Sequence, residues 1–463
     1  MSSDVLFLIS DNYQEDNQFP LNIGYLAAVL EKNGYSIEIY CMDVYHYTNE
    51  DLVKKLQENE YKIIGLSFLA ARFKETIIDL CETINKYKKN AWLILGGHCS
   101  SAIPDYILKK TKCDIVVVGE GEEVILDVMR NKKNNILKEH IIYATPIKNL
   151  NSLPYPAWHL FPMDIYTTNI VFPGMNKGDK SFQMITSRGC NNNCDFCYKM
   201  IKGIRLRKLE DVINELRILR DRYGINTIRF QDESFLISKK RIRRFAELLK
   251  KSNLKIKFTA NARVDIIDED IALLLKEIGC ILLNIGFESS SQEVLNHMKK
   301  NSTIEQNEEV LKICKKIDLG YGPNFIWGYP EDTKETLINN AKLTKKYNTY
   351  MQLRTIRPVT PYPGCKLYYE AISKGLIKDA EDFFDKFKNS DLITVNFTRY
   401  SDDECYKMLY DINTELVKDY YKHADLPLHN KLFDSASMIQ KLYKLYFEKD
   451  VRFRGTRHYN EKM

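Results

Sequence analysis

The chain has 463 residues, 44% hydrophobic and 28% charged, a globular composition too long for one ordinary core. Its 68 basic and 62 acidic side chains leave a net charge of +6, mild for this length, which argues against nucleic acid as a partner. The opening MSSDVLFLISDNYQED has no basic n-region or cleavage-like site, and no apolar run reaches the length of a membrane span, so a cytoplasmic protein is expected.

Residues 5–10 read as a strand and 22–34 as a helix stopped at Gly34. Strands follow at 36–43, 63–68 and 92–97 and within 114–123, with helices between them, including 72–88 and one after Pro104. Several of these strands are unbroken apolar runs. Alternation with helices implies a parallel sheet covered on both faces, here a doubly wound, flavodoxin-like domain over 1–135. From 136 to 180 the periodicity lapses into a stretch rich in Pro and aromatics, which reads as an ordered linker. A second βα series has strands at 182–187, 227–232, 255–261, 281–287, 322–328 and 351–357. Six βα units suit an open, partial (β/α)6 barrel over 181–375, with its chemistry at the C-terminal ends of the strands. Residues 376–463 read as a helical region.

In a reducing compartment eleven cysteines are not a disulfide framework. Cys41, Cys81, Cys280 and Cys314 sit in apolar patterns and read as core. Cys190, Cys194 and Cys197 stand apart as C-x-x-x-C-x-x-C, in TSRGCNNNCDFCY (186–198), directly after the first strand of the second series. Structural zinc wants four ligands in a closed set, and no Cys or His pair elsewhere completes one. A redox dithiol needs only Cys194 and Cys197. Three thiolates on a [4Fe–4S] cluster leave one iron open to a substrate or cofactor, and the spacing favours this reading.

Over residues 186–364 the chain resembles the radical S-adenosylmethionine (SAM) enzymes, and as a whole it resembles their cobalamin-binding branch. The resemblance implies a cluster whose open iron chelates SAM, reductive cleavage to a 5′-deoxyadenosyl radical, and an electron donor such as a flavodoxin or ferredoxin. It assigns Tyr198 to packing on adenine and Asp232 or Glu233 (in FQDESF) to the SAM amino group. Arg263 (in NARVD) would meet the SAM carboxylate through its two-pronged guanidinium. Glu288 (in GFESSSQEVL) would reach ribose or amine, and Gly328 (in FIWGYPED) would lie against adenine. PYPGCKLY (361–368) resembles the family's PYPGT-like turn, with Cys365 where Thr is usual.

In the N-terminal domain, the small residues Ser67, Gly96, Gly97, Gly119 and Gly121, with His98, are the candidate cobalamin contacts at strand ends. Some cobalamin proteins carry Asp-x-His-x-x-Gly after the first strand. Here that segment has no His, and His46 and His98 lie elsewhere, so the resemblance implies a corrinoid without a histidine below cobalt. The expected activity is methyl transfer from SAM through methylcobalamin to an unactivated carbon of a small-molecule or peptide substrate. The alternative is a cyclisation, ring contraction or rearrangement with the same cofactors.

Overall fold

A computed structural model describes residues 3–11, 17–170, 172–425 and 428–450. Residues 12–16, within the stretch SDNYQEDNQFPLNIGYLAA, and the last 13 residues of the chain lie outside the described residues. The chain folds as two compact units. One comprises Met1–Ile170, Phe182–Asn191 and Tyr198–Ile225; the other comprises Val171–Ser181, Asn192–Cys197 and Asn226–Met463. No described helix is long and apolar enough to cross a membrane.

The first sheet has six strands: β1 (Val5–Ile9), β2 (Ile37–Cys41), β3 (Ile63–Ser67), β4 (Trp92–Gly96), β5 (Ile115–Val118) and β6 (Ile141–Tyr143). Their order is β2-β1-β3-β4-β5-β6, and every pair is parallel. This is the flavodoxin-like doubly wound order, with its switch point between β1 and β3. The apolar runs explain it: all five residues of β1 are buried, as a strand covered on both faces requires. β6 lies in the stretch where periodicity lapses. It is a three-residue edge strand, two of its residues half-buried and one exposed, so it carries no apolar signature.

The second sheet holds β7 (Ser181–Met184), β10 (Thr227–Phe230), β11 (Lys257–Ala262), β12 (Cys280–Glu288), β13 (Tyr321–Trp327) and β14 (Arg357–Pro358), in the order β14-β13-β12-β11-β10-β7. Neighbours from β10 to β14 run parallel. This is the open (β/α)6 half-barrel that the six βα units imply. Its last strand is shorter than the expected 351–357. The backbone of Ile356 is satisfied by a side chain instead of a ladder: its N–H donates to Asn413 Oδ1 (2.9 Å) and its carbonyl accepts from Asn413 Nδ2 (2.9 Å). Asn413 is buried in the helix Asp402–His423 of the C-terminal region.

Sequence reading passed directly from the first barrel strand to the cysteine loop. The structure inserts an antiparallel hairpin, β8 (Ser187–Cys190) with β9 (Gly203–Leu206), in which Arg188 faces Arg205 and Cys190 faces Gly203. The two arginines converge on Glu120, which follows β5. Glu120 Oε1 accepts from Arg188 Nη1 (2.8 Å), and Oε2 accepts from Arg205 Nη1 (2.5 Å) and from the Ile147 N–H (2.8 Å). Arg188 Nη2 donates to Glu122 Oε1 (2.6 Å), and its guanidinium lies over the Tyr25 ring at 5.1 Å. Burial raises the Glu120 carboxyl, but the hydrogen bonds from Arg205 and Arg188 outweigh it and hold the group below its usual range.

A second buried acid behaves oppositely. Asp43, just past β2, is 3% exposed and accepts from the Tyr166 hydroxyl at 3.1 and 2.9 Å. Burial pushes its carboxyl up to about 7 despite those bonds.

Two outcomes are expected. Glu120→Ala leaves two guanidinium groups facing each other without their shared partner. It should cost about 3–5 kcal/mol in chemical denaturation, and Glu120→Gln should cost less. For Asp43, the folded state keeps a proton that the unfolded chain loses between about pH 4 and pH 7, so stability falls as pH rises through that window. The loss is complete above about 7 and amounts to ~4 kcal/mol at most. D43N should therefore unfold with a shallower pH slope between pH 5 and 8 than the wild type; an identical slope would mean Asp43 folds ionised.

Candidate active site

Eleven thiols divide by exposure. Cys41, Cys81, Cys99, Cys113, Cys280, Cys314, Cys365 and Cys405 are buried; Cys190 and Cys194 are half-buried and Cys197 is exposed. Burial pushes Cys41, Cys99, Cys314 and Cys365 up to about 12 and Cys113 to about 11, so these groups stay protonated. A metal ligand must be a thiolate within reach. The three cysteines of the C-x-x-x-C-x-x-C run are the ones that meet the second requirement. Cys190 ends β8, and Cys194 and Cys197 close a turn in which the Cys197 N–H donates to the Cys194 carbonyl (3.4 Å). Among the described residues, no three His, Cys, Asp or Glu side chains are gathered so that they could hold a metal ion. The donor chemistry nevertheless fits a group that takes three protein sulfurs and leaves one position open.

At the barrel strand ends the structure joins several of the sequence candidates. Glu288, the last residue of β12, has φ +67° and accepts from Lys300 Nζ at 2.8 Å. Both side chains are buried. A Cβ at Gly286 would lie 2.4 Å from Glu288 Oε1 and 2.8 Å from Lys300 Nζ, so only glycine leaves room for this pair. Arg263, following β11, donates from Nη2 to the Lys300 carbonyl (2.8 Å) and from Nε to Asp265 Oδ1 (3.3 Å). Lys300 Nζ lies 5.9 Å from the ring centroid of Phe196, within the cysteine turn. Sequence reasoning missed Lys300; the second Lys of "HMKKNST" gives no signal until Glu288 is placed beside it.

Asp232 is fully buried and its carbonyl accepts from Asn261 Nδ2 (3.2 Å), whereas the neighbouring Glu233 is exposed. Ser238 caps the helix Lys239–Lys251, accepting from the Arg241 N–H (3.3 Å). The N–H of Gly328, directly after β13, donates to Asp332 Oδ2 (2.9 Å).

In the first unit the candidate corrin contacts gather where the doubly wound fold places ligands. Ser67 ends β3, and its Oγ accepts from Asn22 Nδ2 (2.7 Å). Gly96 ends β4. Gly97 has φ +93°, and a Cβ there would come within 2.6 Å of Ser67 Oγ. Past β5, the Gly119 N–H donates to Ser101 Oγ (3.0 Å), and Gly121 opens the helix Gly121–Lys133. His98 meets Tyr198 edge to face, with ring centroids 6.2 Å apart and planes at 83°. Sequence reading gave these two residues to different cofactors; the structure sets them together. His46 Nδ1 lies 2.8 Å from Asp11 Oδ2.

Comparison with known proteins agrees with both units. Residues 184–344 match the Radical SAM superfamily model and residues 15–128 match the B12 binding domain model. An uncharacterized methyltransferase of Pyrococcus horikoshii is 30% identical over 379 residues, spanning 77% of this chain and 79% of the relative. An anaerobic magnesium-protoporphyrin IX monomethyl ester cyclase of Rubrivivax gelatinosus is 27% identical, spanning 79% of this chain and 68% of the cyclase. Among solved structures, the cobalamin-dependent SAM radical enzyme OxsB, with aqua-cobalamin and SAM bound, shares the fold at a TM-score of 0.72 and 18% identity, over 96% of this chain and 72% of OxsB. With a relative of that identity across most of both chains and the two domain models in sequence, the chain belongs to the radical SAM family, in the branch that carries an N-terminal B12-binding domain.

Proposed function

We propose that the protein is a cobalamin-dependent radical SAM methyltransferase acting on an unactivated carbon, with a [4Fe–4S] cluster held by Cys190, Cys194 and Cys197. The observation that carries this reading is the exposure pattern of the cysteines: eight are buried, and the three that are not have the spacing of a three-thiolate cluster. When bound, the cluster supplies the electron that cleaves SAM, and cobalamin carries the methyl group. A carbon without a lone pair cannot attack SAM directly, so a radical must be made there first.

This chain's own residues do the binding. Glu288, Lys300 and Arg263 put a carboxylate and two cations at neighbouring strand ends, the complement of the ammonium and carboxylate of an amino acid. Phe196 beside Lys300 offers an apolar face next to those charges. Asp232 is fully buried and Glu233 exposed, so Glu233 is the better placed of the two to meet an incoming amine. Ser67, Gly97 and Gly119 are small residues at the strand ends of the first sheet, where a flat corrin with its tail would lie. A low-potential donor of the flavodoxin or ferredoxin class would supply the electron, and the substrate is a small molecule or a peptide. The cyclase relative keeps alive a second reading, in which the same cofactors serve a cyclisation or rearrangement.

Anaerobically reconstituted protein should hold about four irons per chain. Replacing Cys190, Cys194 and Cys197 together with Ala should abolish iron binding and SAM cleavage; a variant that keeps its iron, or a wild type that takes up only zinc, ends the cluster assignment. To separate the two reactions, cells with and without the protein can be fed methionine bearing a deuterated methyl group. Methyl transfer predicts a metabolite that carries the intact label only where the protein is present. A new but unlabelled metabolite would favour the cyclase-like reading.

A further inference from the structure

The cysteine turn is built around one buried carboxylate. Asp195 is 4% exposed, although the thiols of Cys194 and Cys197 on either side of it are accessible. Its N–H donates to the Met298 carbonyl (3.1 Å), just past the helix Gln292–His297, and its carbonyl accepts from the Leu367 N–H (3.0 Å), in the first turn of the helix Lys366–Ser373. Its Oδ1 accepts from the Tyr329 hydroxyl (2.8 Å), and its Oδ2 lies 4.0 Å from His297 Nε2. Three separate elements therefore hold one residue of the turn. A loop that merely offered thiols to solvent would need none of them, and a carboxylate taken out of water is costly unless it is bonded.

Tyr329 is fixed just as firmly. It is fully buried and directly follows Gly328. The N–H groups of Gly328 and Tyr329 both donate to Asp332 Oδ2 (2.9 and 3.0 Å), and the Thr336 hydroxyl donates to Asp332 Oδ1 (2.8 Å). His297 is held by Glu331 (2.8 Å) and Glu370 (3.2 Å). Asp332 is thus linked, by hydrogen bonds to the backbone after β13 and then through the Tyr329 side chain and its hydroxyl, to the residue between two cysteines. A buried series of this kind has one arrangement, so displacement at one end is felt at the other.

We propose that Tyr329 and Asp195 are positioning residues that couple the segment after β13 to the cysteine turn and so set the orientation in which SAM meets the open iron. The inference rests on the cluster reading above. Neither side chain need touch SAM; both act through the turn.

The test uses the full chain, reconstituted anaerobically, as wild type, Y329F and D195N, with Y166F as control. Tyr166→Phe removes an equally buried Tyr–Asp hydrogen bond in the other unit. Readouts are iron content, the electron paramagnetic resonance spectrum of the reduced cluster with and without SAM, and SAM affinity. Y329F and D195N should keep their iron and their spectrum without SAM, lose most of the SAM-induced spectral change, and bind SAM about tenfold more weakly. Y166F should match the wild type throughout. Spectra and affinities in Y329F and D195N equal to those of the wild type would overturn this inference alone. Loss of iron as complete as in the triple cysteine variant would also overturn it, because the bond would then build the turn and not tune it. A wild type without iron would fail the cluster reading, and this inference with it.

Discussion

A single carboxylate, Glu120, lies between two arginines that would otherwise repel each other. Arg188 and Arg205 are direct partners across the β8–β9 hairpin, and like charges in that position destabilise a strand pair. With Glu120 and Glu122 present the four charges balance, and the hairpin that ends in Cys190 becomes stable only against the loop after β5. Glu120 also accepts from the Ile147 N–H, and Arg205 donates to the Ile147 carbonyl (2.7 Å), so the segment after β6 is held at the same point. Sheet, linker and hairpin of the first unit share one electrostatic knot. A knot of this kind contributes little net stability compared with an apolar substitute, but losing one member is costly, and that asymmetry makes it a device for specifying geometry.

Around it, burial sorts the chemistry. Eight thiols are placed where the thiolate is suppressed, and the other three are half-buried or exposed. The same sorting acts on the acids at the barrel strand ends. Asp232 is sealed within the fold while Glu233 faces out, and Glu288 is buried only because Lys300 neutralises it.

What could be read from the sequence follows the strength of its patterns. β1, β3, β4 and the barrel strands β11 to β13 are apolar runs bounded by turn residues, so their existence and the doubly wound and half-barrel classes were legible. β6 was not, and β14 was legible only as the longer strand 351–357. β6 is a partly exposed edge strand of three residues, and β14 is reduced to two because Asn413, 57 positions away, takes the backbone of Ile356. The β8–β9 hairpin was missed because its four-residue strands carry arginine and glycine in place of an apolar alternation. At the candidate site, the cysteine run stands out in the sequence by its spacing alone. Lys300, Asp195 and Tyr329 do not, because their meaning lies in partners that are distant in sequence: Tyr329 and Asp195 are 134 residues apart.

Cys365 shows how such a distant partner can account for a local departure. The family resemblance places Thr at this turn, and position 365 is the N-cap of the helix Lys366–Ser373, where a hydroxyl would accept from the second or third N–H of the helix. Cysteine makes a poor cap: its sulfur lies against the Leu367 and Tyr368 N–H groups as a weak acceptor, and it is 1% exposed with its thiol pushed up to about 12 by burial. Giving up a hydroxyl cap ordinarily costs ~1 kcal/mol. Here the second N–H of the helix, that of Leu367, is not orphaned; it donates to the carbonyl of Asp195 in the cysteine turn (3.0 Å). The cap is therefore supplied from outside the helix, by the loop that carries Cys194 and Cys197. A threonine hydroxyl at 365 would compete for that N–H more strongly than a thiol, which is the weaker acceptor and leaves the bond to the Asp195 carbonyl in place.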